Sequence, residues 1–433
     1  MESYHSHLNI PSQGQTNRIS PAVSPRDDPN HPDHHKKHHI KMFNNPYAAK
    51  KIELTNNINI SKQSVVEIFG CAIDQEDEQI AIACGDGTIR IYNLAHPSQT
   101  SAQVIKTHSQ GGDSAVETAV TSVKWKKHKE SQSDSMMDYS IGVDQQPLHD
   151  KSKELPNIMA TATDGQFKEI SVKYHKQTFT RLDAPDNQLY TLDFDKSGYT
   201  VATGGKDTFI RLYDATTKDL KQTLHSSKTL VGHSNRVQCI KFSPLKDELL
   251  YTGGWDKVIN LYDIREEGPV QQINGPQIQG EAIDIRHQDG ILLTGSCQPN
   301  DCIQLWDLRK THTPLRTIDW DGGDKDASGQ WINLFQEQYE SHQKLLGEAS
   351  AMLYTCKFDI TGEFIYAAGG SGKNEFRVFN YSDGQLISCI HEFAGSIFSM
   401  DVSKRAGTNK VAFGSSDSHL RVIHVVDNKK QIQ

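Results

Sequence analysis

The chain has 433 residues, 36% of them hydrophobic, and a formal net charge of −8. It contains no apolar run of the roughly 18 residues that a membrane-spanning helix needs, and its polar, His-rich start has no apolar segment of a secretory signal. A chain this acidic lacks the basic footprint of unspecific nucleic-acid binding, so neither nucleic acid nor membrane is an expected partner.

Residues 1–46 are rich in Ser, Pro, Asn and His and poor in apolar side chains. Such a composition cannot offset the entropy of ordering, and it predicts a disordered arm. Within the arm lies HPDHHKKHHIK, residues 31–41. Its basic side chains, Lys36, Lys37 and Lys41 with Lys50 and Lys51 nearby, suit an acidic partner surface such as a tubulin tail. His31, His34, His35, His38 and His39 would share a face if the segment became helical, and imidazoles spaced i, i+4 chelate Zn²⁺ or Ni²⁺. A solvated low-complexity stretch serving neither purpose is the third reading, and no metal site or cofactor is expected.

After the arm one phrase recurs: an alternating apolar run, a polar turn, a run ending in small residues, an Asp, and a second alternating run. The copies lie at 66–94, 189–214, 237–264, 282–308, 353–380 and 397–425. A more degraded copy begins at 120 with VTSVKW and resumes at 158 with IMATATDGQFKEISVKYH. Alternation is the period of half-buried strands, and the intervening Gly and Asp supply turns. The last copy ends with only its third strand complete. Lys51-Ile52-Glu53-Leu54-Thr55, at the other end of the chain, is the expected fourth strand, which would close the ring and remove two free edges.

Two stretches interrupt the phrase. Residues 126–156, rich in Lys, Ser, Asp and Gln, predict a mobile surface loop. Residues 319–352 contain Trp331, Leu334, Phe335, Tyr339, His342 and Leu346 near helical spacing, with Gly347 as a stop. They predict a short amphipathic helix that packs on its own domain or docks on a partner. The seven cysteines, Cys71, Cys84, Cys239, Cys297, Cys302, Cys356 and Cys389, form no CxxC pair. They read as buried reduced thiols, and hence as an intracellular, cytoplasmic chain.

The copies resemble WD repeats. The family's GH…WD frame is best kept at Gly232-His233 and Tyr262-Asp263, and Trp306-Asp307 is a literal WD dipeptide. The resemblance covers roughly residues 50–427 and implies an all-β fold: one seven-bladed β-propeller over residues 47–433. It also implies that His233 donates to Asp256, with Thr252 bridging toward the strand-c aromatic; Tyr262 replaces the usual Trp there. Asp86, Asp207, Asp256 and Asp417 hold the same turn position, with Asp164 as a looser match. These residues are structural on this view, although Ser/Thr, His and Asp together imitate a catalytic triad. No phosphate loop, HExxH, GxSxG or kinase set occurs, and no enzyme is expected.

Proteins similar to WD-repeat proteins often dock partners on the narrower face. Residues just before the turn Asp point there: Lys206, Trp255 and Ser416. Arg236, Asn187 and Gln188 enter the neighbouring loops, and Trp beside Arg is interface chemistry. The implied function is a non-catalytic protein-binding scaffold of an intracellular assembly, with a cytoskeletal or ciliary setting as a special case. The alternative is a ubiquitin-ligase substrate adaptor or a phospho-dependent receptor, which would gather Lys206, Arg211 and Arg236 into a basic pocket.

Overall fold

A computed structural model describes residues 40–44, 48, 50–97, 101–107, 118–126, 156–184, 186–320, 352–370 and 374–427. The predicted insertion helix, the body of the 126–156 loop, and Lys36, Lys37, His31, His34, His35, His38 and His39 lie outside these residues. Among the described residues every regular element is a β-strand, numbered β1 (Lys41–Asn44) to β29 (His419–Asp427).

The strands form seven antiparallel sheets. Blade one is β3 (Ile68–Ile73), β4 (Gln79–Cys84), β5 (Thr88–Asn93) and β6 (Gln103–Lys106). Blade two is β7 (Val120–Trp125), β8 (Ile158–Ala162), β9 (Gln166–Ser171) and β10 (Lys176–Leu182). Blade three is β11 (Leu189–Phe194), β12 (Thr200–Gly205), β13 (Ile210–Asp214) and β14 (Leu220–Leu224). Blade four is β15 (Val237–Phe242), β16 (Leu249–Gly254), β17 (Val258–Asp263) and β18 (Pro269–Asn274). Blade five is β19 (Ile283–Ile285), β20 (Leu292–Gly295), β21 (Ile303–Trp306) and β22 (Arg316–Ile318). Blade six is β23 (Met352–Phe358), β24 (Phe364–Gly370), β25 (Phe376–Asn380) and β26 (Leu386–His391), and blade seven is β27 (Ile397–Val402), β28 (Lys410–Ser415) and β29. Each blade's first strand touches the first strand of the next: β3 meets β7, and so on through β11, β15, β19, β23 and β27, which meets β3 again. That closed circuit is a seven-bladed β-propeller.

Blade seven takes its outer strand from the other end of the chain. β2 (Lys50–Asn59) pairs along β29, from Lys50 opposite Asp427 to Asn59 opposite His419. Ile52 is fully buried among Ile423, Val425 and their neighbours. The closing strand expected at Lys51–Thr55 is thus in place, and it is longer than expected at both ends.

Within the stretch expected to be disordered, Lys41–Asn44 is a strand. Lys41–Asn44 (β1) pairs with β26 as a fifth strand outside blade six, and Lys41 forms a 2.7 Å ion pair with Glu392. This corrects the expectation of disorder through residue 46 and gives Lys41 a partner within the chain. Backbone pairing supplied what side-chain composition did not promise. Asn44 fixes the step from blade six to blade seven. Its side chain donates to the Ile52 carbonyl, and its Oδ1 accepts from the Ile52 N–H and the Ser388 hydroxyl.

The five turn aspartates share one local cause. Asp86, Asp164, Asp207, Asp256 and Asp417 each accept the N–H two residues on, at 3.0–3.3 Å. This Asx turn holds the intervening residue in the left-handed region. Gly87 and Gly165 enter that region freely, whereas Thr208, Lys257 and Ser418 are held there at φ of 74°, 62° and 62°. All seven cysteines are buried free thiols.

Deleting residues 1–60 removes β1 and β2 and exposes the edge of β29. Each buried aliphatic side chain lost with them is worth ~1.5–3 kcal/mol. We expect calorimetry to show a melting temperature lower by about 10 °C or more, at roughly 2–4 °C per kcal/mol. A truncated chain that melts like the full one would show that β2 does not close the ring.

Candidate narrow-face docking site

The loops entering the first strands and the turns between second and third strands meet at one end of the ring. Lys206 N–H bonds the Gln188 carbonyl, Trp255 N–H the Arg236 carbonyl, and Ser416 N–H the Ser396 carbonyl. The three expected rim residues therefore occupy equivalent positions in blades three, four and seven. Gly254 permits the approach at blade four, because a Cβ there would meet the Arg236 carbonyl at 2.2 Å. The Arg236 guanidinium lies 4.4 Å from the centroid of the Trp255 ring. The indole is partly exposed, yet its Nε1 is buried with no hydrogen-bond partner.

Not every expected rim residue faces outward. Lys206 is exposed, and Gln188, Arg236 and Ser416 are partly so. Asn187 is buried, and its Oδ1 accepts from the N–H groups of Gln188 and Asp207. It shapes the loop and is withdrawn from any docking surface. The Ser416 hydroxyl accepts from the Ser396 N–H. Arg211, on β13, is bound by Asp183 and Asp207, at 2.7 Å each. With its charge already compensated, Arg211 adds little to a phosphate pocket with Lys206 and Arg236.

In blade four, His233 Nδ1 donates to the Asp256 carboxylate at 2.8 Å, and Nε2 is 2.7 Å from the Thr252 hydroxyl. The network stops there. The Tyr262 hydroxyl turns to the His225 carbonyl, so Thr252 does not bridge to it. In blade five, with Trp at that position, Trp306 Nε1 does reach Thr294, at 3.0 Å.

Blades without the His compensate the turn Asp from four residues on. Asp86 pairs with Arg90, Asp164 with Lys168, Asp207 with Arg211 and Asp417 with Arg421, at 2.6–3.0 Å. Asn260 stands four after Asp256, where His233 does this work. In blade three the hub is Asp183, which sequence reasoning missed. Its carboxylate accepts from Thr203, Tyr213, Arg211 and Asn187.

Inside the rim, the second positions of the first strands line the mouth of the ring. Phe69 stacks on Phe398 with centroids 5.6 Å apart, and Tyr354 meets Phe398 edge-on at 5.4 Å. Tyr190 donates to Gln188 at 2.7 Å. The next positions hold small residues, Gly70, Ser122, Thr191, Cys239, Ala282, Thr355 and Ser399, in matching register.

Two residues deeper lies a belt: Ala72, Lys124, Asp193, Lys241, Asp284, Lys357 and Asp401, from blades one, two, three, four, five, six and seven. Lys241 pairs with Asp284 at 3.0 Å. Asp193, Asp284 and Asp401 each also accept an N–H from the next blade's first strand, those of Phe242, Phe358 and Ile73. Burial opposes the charge of Asp401, but Lys404, Lys357 and Lys124 outweigh it and hold its pKa down to about 2. Burial likewise opposes Asp284 and Glu281, and lysines again outweigh it, so both stay below the usual carboxylate range. The belt was visible in the aligned copies as the residue before each strand's last hydrophobe, in VKW, LDF, IKF, IDI, CKF and MDV.

Two measurements test this account. His233→Ala leaves the buried Thr252 hydroxyl without its His partner, at roughly 1–3 kcal/mol, while Asp256 keeps the Ser234 and Val258 N–H groups. An unchanged urea midpoint would contradict it. Asp401, Asp284 and Glu281 titrate lower folded than unfolded, so their stabilisation is complete above the unfolded value of about 4. It is lost as pH falls through the folded value, about 2 for Asp401. We expect the urea midpoint to drop between about pH 4 and 2, and Asp401→Asn to flatten that drop.

A WD domain, G-beta repeat (WD40) model matches residues 176–214 and 224–263. Each match starts in or at the end of one blade's outer strand, β10 or β14, and runs through the first three strands of the next. The chain is similar to the WD repeat-containing protein AAC3 of Dictyostelium discoideum, 22% identical over 58% of this chain and 59% of that protein. Pre-mRNA-processing factor 19 of Oryza sativa subsp. japonica is 20% identical over 63% of this chain and 61% of its own length. A guanine nucleotide-binding protein subunit beta of Nicotiana tabacum is 25% identical over 40% of this chain and 48% of its own length. The chain thus spans less than two thirds of each of these relatives.

Proposed function

Because the chain is a WD-repeat β-propeller, we propose that it serves as a non-catalytic scaffold and that a partner protein docks on the narrow face at Trp255 and Arg236. WD-repeat proteins are in general protein-interaction scaffolds without catalysis. The observation that carries this reading is the Trp255–Arg236 pair, stacked at 4.4 Å on a rigid rim. A partly exposed indole under a guanidinium offers a large, pre-ordered contact at small entropic cost. The titratable groups of the belt are engaged with one another, which leaves no acid and base poised for a substrate.

We further place the partner in an intracellular assembly, and a cytoskeletal or ciliary one is the special case we would test first. The support is in the sequence: the buried free thiols, and the arm lysines Lys36 and Lys37, which suit an acidic lattice. Cosedimentation with microtubules tests that setting. The printed names of the relatives point to several different tasks, so they do not narrow it.

Trp255→Ala should leave the melting temperature within about 2 °C and remove a hot spot of ~2 kcal/mol, roughly a 30-fold loss of affinity. Quantitative pull-downs would compare it with the wild type and with Tyr174→Ala, an exposed aromatic of blade two. Partners lost with Trp255→Ala and kept with Tyr174→Ala support the site. Insoluble Trp255→Ala protein would mark the indole as core and end the claim.

A further inference from the structure

The charged belt alternates in sign from blade two to blade seven: Lys124, Asp193, Lys241, Asp284, Lys357, Asp401. An alternating pattern closes without conflict only on an even ring, and this ring has seven members. A lysine at blade one would adjoin Lys124, and an acid there would adjoin Asp401. The position holds Ala72. Four of the charges keep an opposite neighbour on both sides, whereas Lys124 and Asp401, which flank Ala72, each have only one.

Both deficits are filled from elsewhere. Lys404, three residues beyond Asp401, places its ammonium 2.7 Å from the Asp401 carboxylate. Lys124 receives Glu281, which belongs to blade five, as far from blade two as a ring of seven allows. One Glu281 oxygen lies 2.7 Å from Lys124 Nζ, and the other accepts from the Ser122 hydroxyl at 2.9 Å. Lys357 of blade six stands 3.7 Å away. Glu281 occupies the register held by Gln238 in blade four, and among the described residues it is the only acid at that level of the mouth.

We propose that Glu281 is a strap across the ring axis, which supplies the counter-charge an odd ring denies Lys124, ties blade five to blade two, and floors the narrow-face mouth so that it is a cup rather than a tunnel. The reach across the axis is the telling feature. Among the described residues, every other hydrogen bond or ion pair of the belt joins adjacent blades or residues of one blade, and these hold neighbours together whether or not the ring is shut. Glu281 joins opposite walls, and only a closed ring brings them within 2.7 Å. With the Lys124 side chain 20% and the Glu281 side chain 11% exposed, the contact is screened less by salt than a fully solvated surface pair. The proposal does not depend on which partner docks above it.

A double-mutant cycle on the full chain tests the strap. Glu281→Gln keeps the shape and the Ser122 bond but removes the charge. We expect it to lower the melting temperature by about 5 °C or more. In a Lys124→Met background the same change should cost less than half as much, because the ammonium it serves is gone. Equal losses in both backgrounds, or no loss in either, overturn the proposal. Hydrogen exchange on Glu281→Gln gives a second readout where melting is not cooperative. Protection should fall together in β7 and β19, on opposite sides of the ring, and a loss confined to β19 overturns the strap.

Discussion

Seven first strands converge on one axis, and their crowding governs most of what the sequence must supply. Where they come closest the side chains are small: Gly70, Ser122, Thr191, Cys239, Ala282, Thr355 and Ser399. A Cβ on Gly70 would already lie 3.1 Å from the Ser122 Cα. Two residues deeper there is room for long side chains, but little water to solvate them. A charge placed there must meet its opposite, because an unpaired charge in such a site is expensive. The alternation of Lys and Asp follows from that need. So do the carboxylates of Asp193, Asp284 and Asp401, each of which also accepts a backbone N–H from the neighbouring blade.

The same economy of polar groups explains why the blades differ in detail while sharing a plan. A turn aspartate is needed to hold the left-handed residue after it, and its second oxygen then needs a cation or a donor. Blade four meets the need with His233, from the loop before the blade. Blades one, two, three and seven meet it with Arg90, Lys168, Arg211 and Arg421, from the following strand. Blade three adds Asp183, which gathers Thr203, Arg211 and Tyr213. A missing GH dipeptide is therefore a substitution of one device for another.

The fold was legible because its signals repeat. Alternation, small residues and a turn Asp recur often enough that single failures do not matter, and the closing strand at Lys51–Thr55 could be inferred from a missing partner alone. β1 was not legible: KMFN is four residues inside a polar arm, and its strand state rests on backbone bonds to β26. At the candidate site, the rim positions of Lys206, Trp255 and Ser416 followed from the repeat. The burial of Asn187 did not, because Asn at a loop entry serves equally as a contact or as a cap. Asp183 and Glu281 were missed because each acts through residues distant in sequence. Glu281 reaches back 157 residues to Lys124, and no local pattern announces that.

The offset between repeat and blade has a consequence for how such a chain can grow or be rebuilt. A repeat contributes the outer strand of one sheet and the inner three of the next, so a boundary between repeats falls inside a blade. Duplicating or transplanting one repeat inserts a unit already clasped on both sides, and no step of that history leaves a sheet unfinished. A circle reopened with its old termini joined keeps that overlap when the cut falls in a turn between a third strand and the outer strand after it, and loses it in a turn between an outer strand and the inner strand that follows. A cut there separates whole sheets and forfeits the overlap that now binds the last to the first.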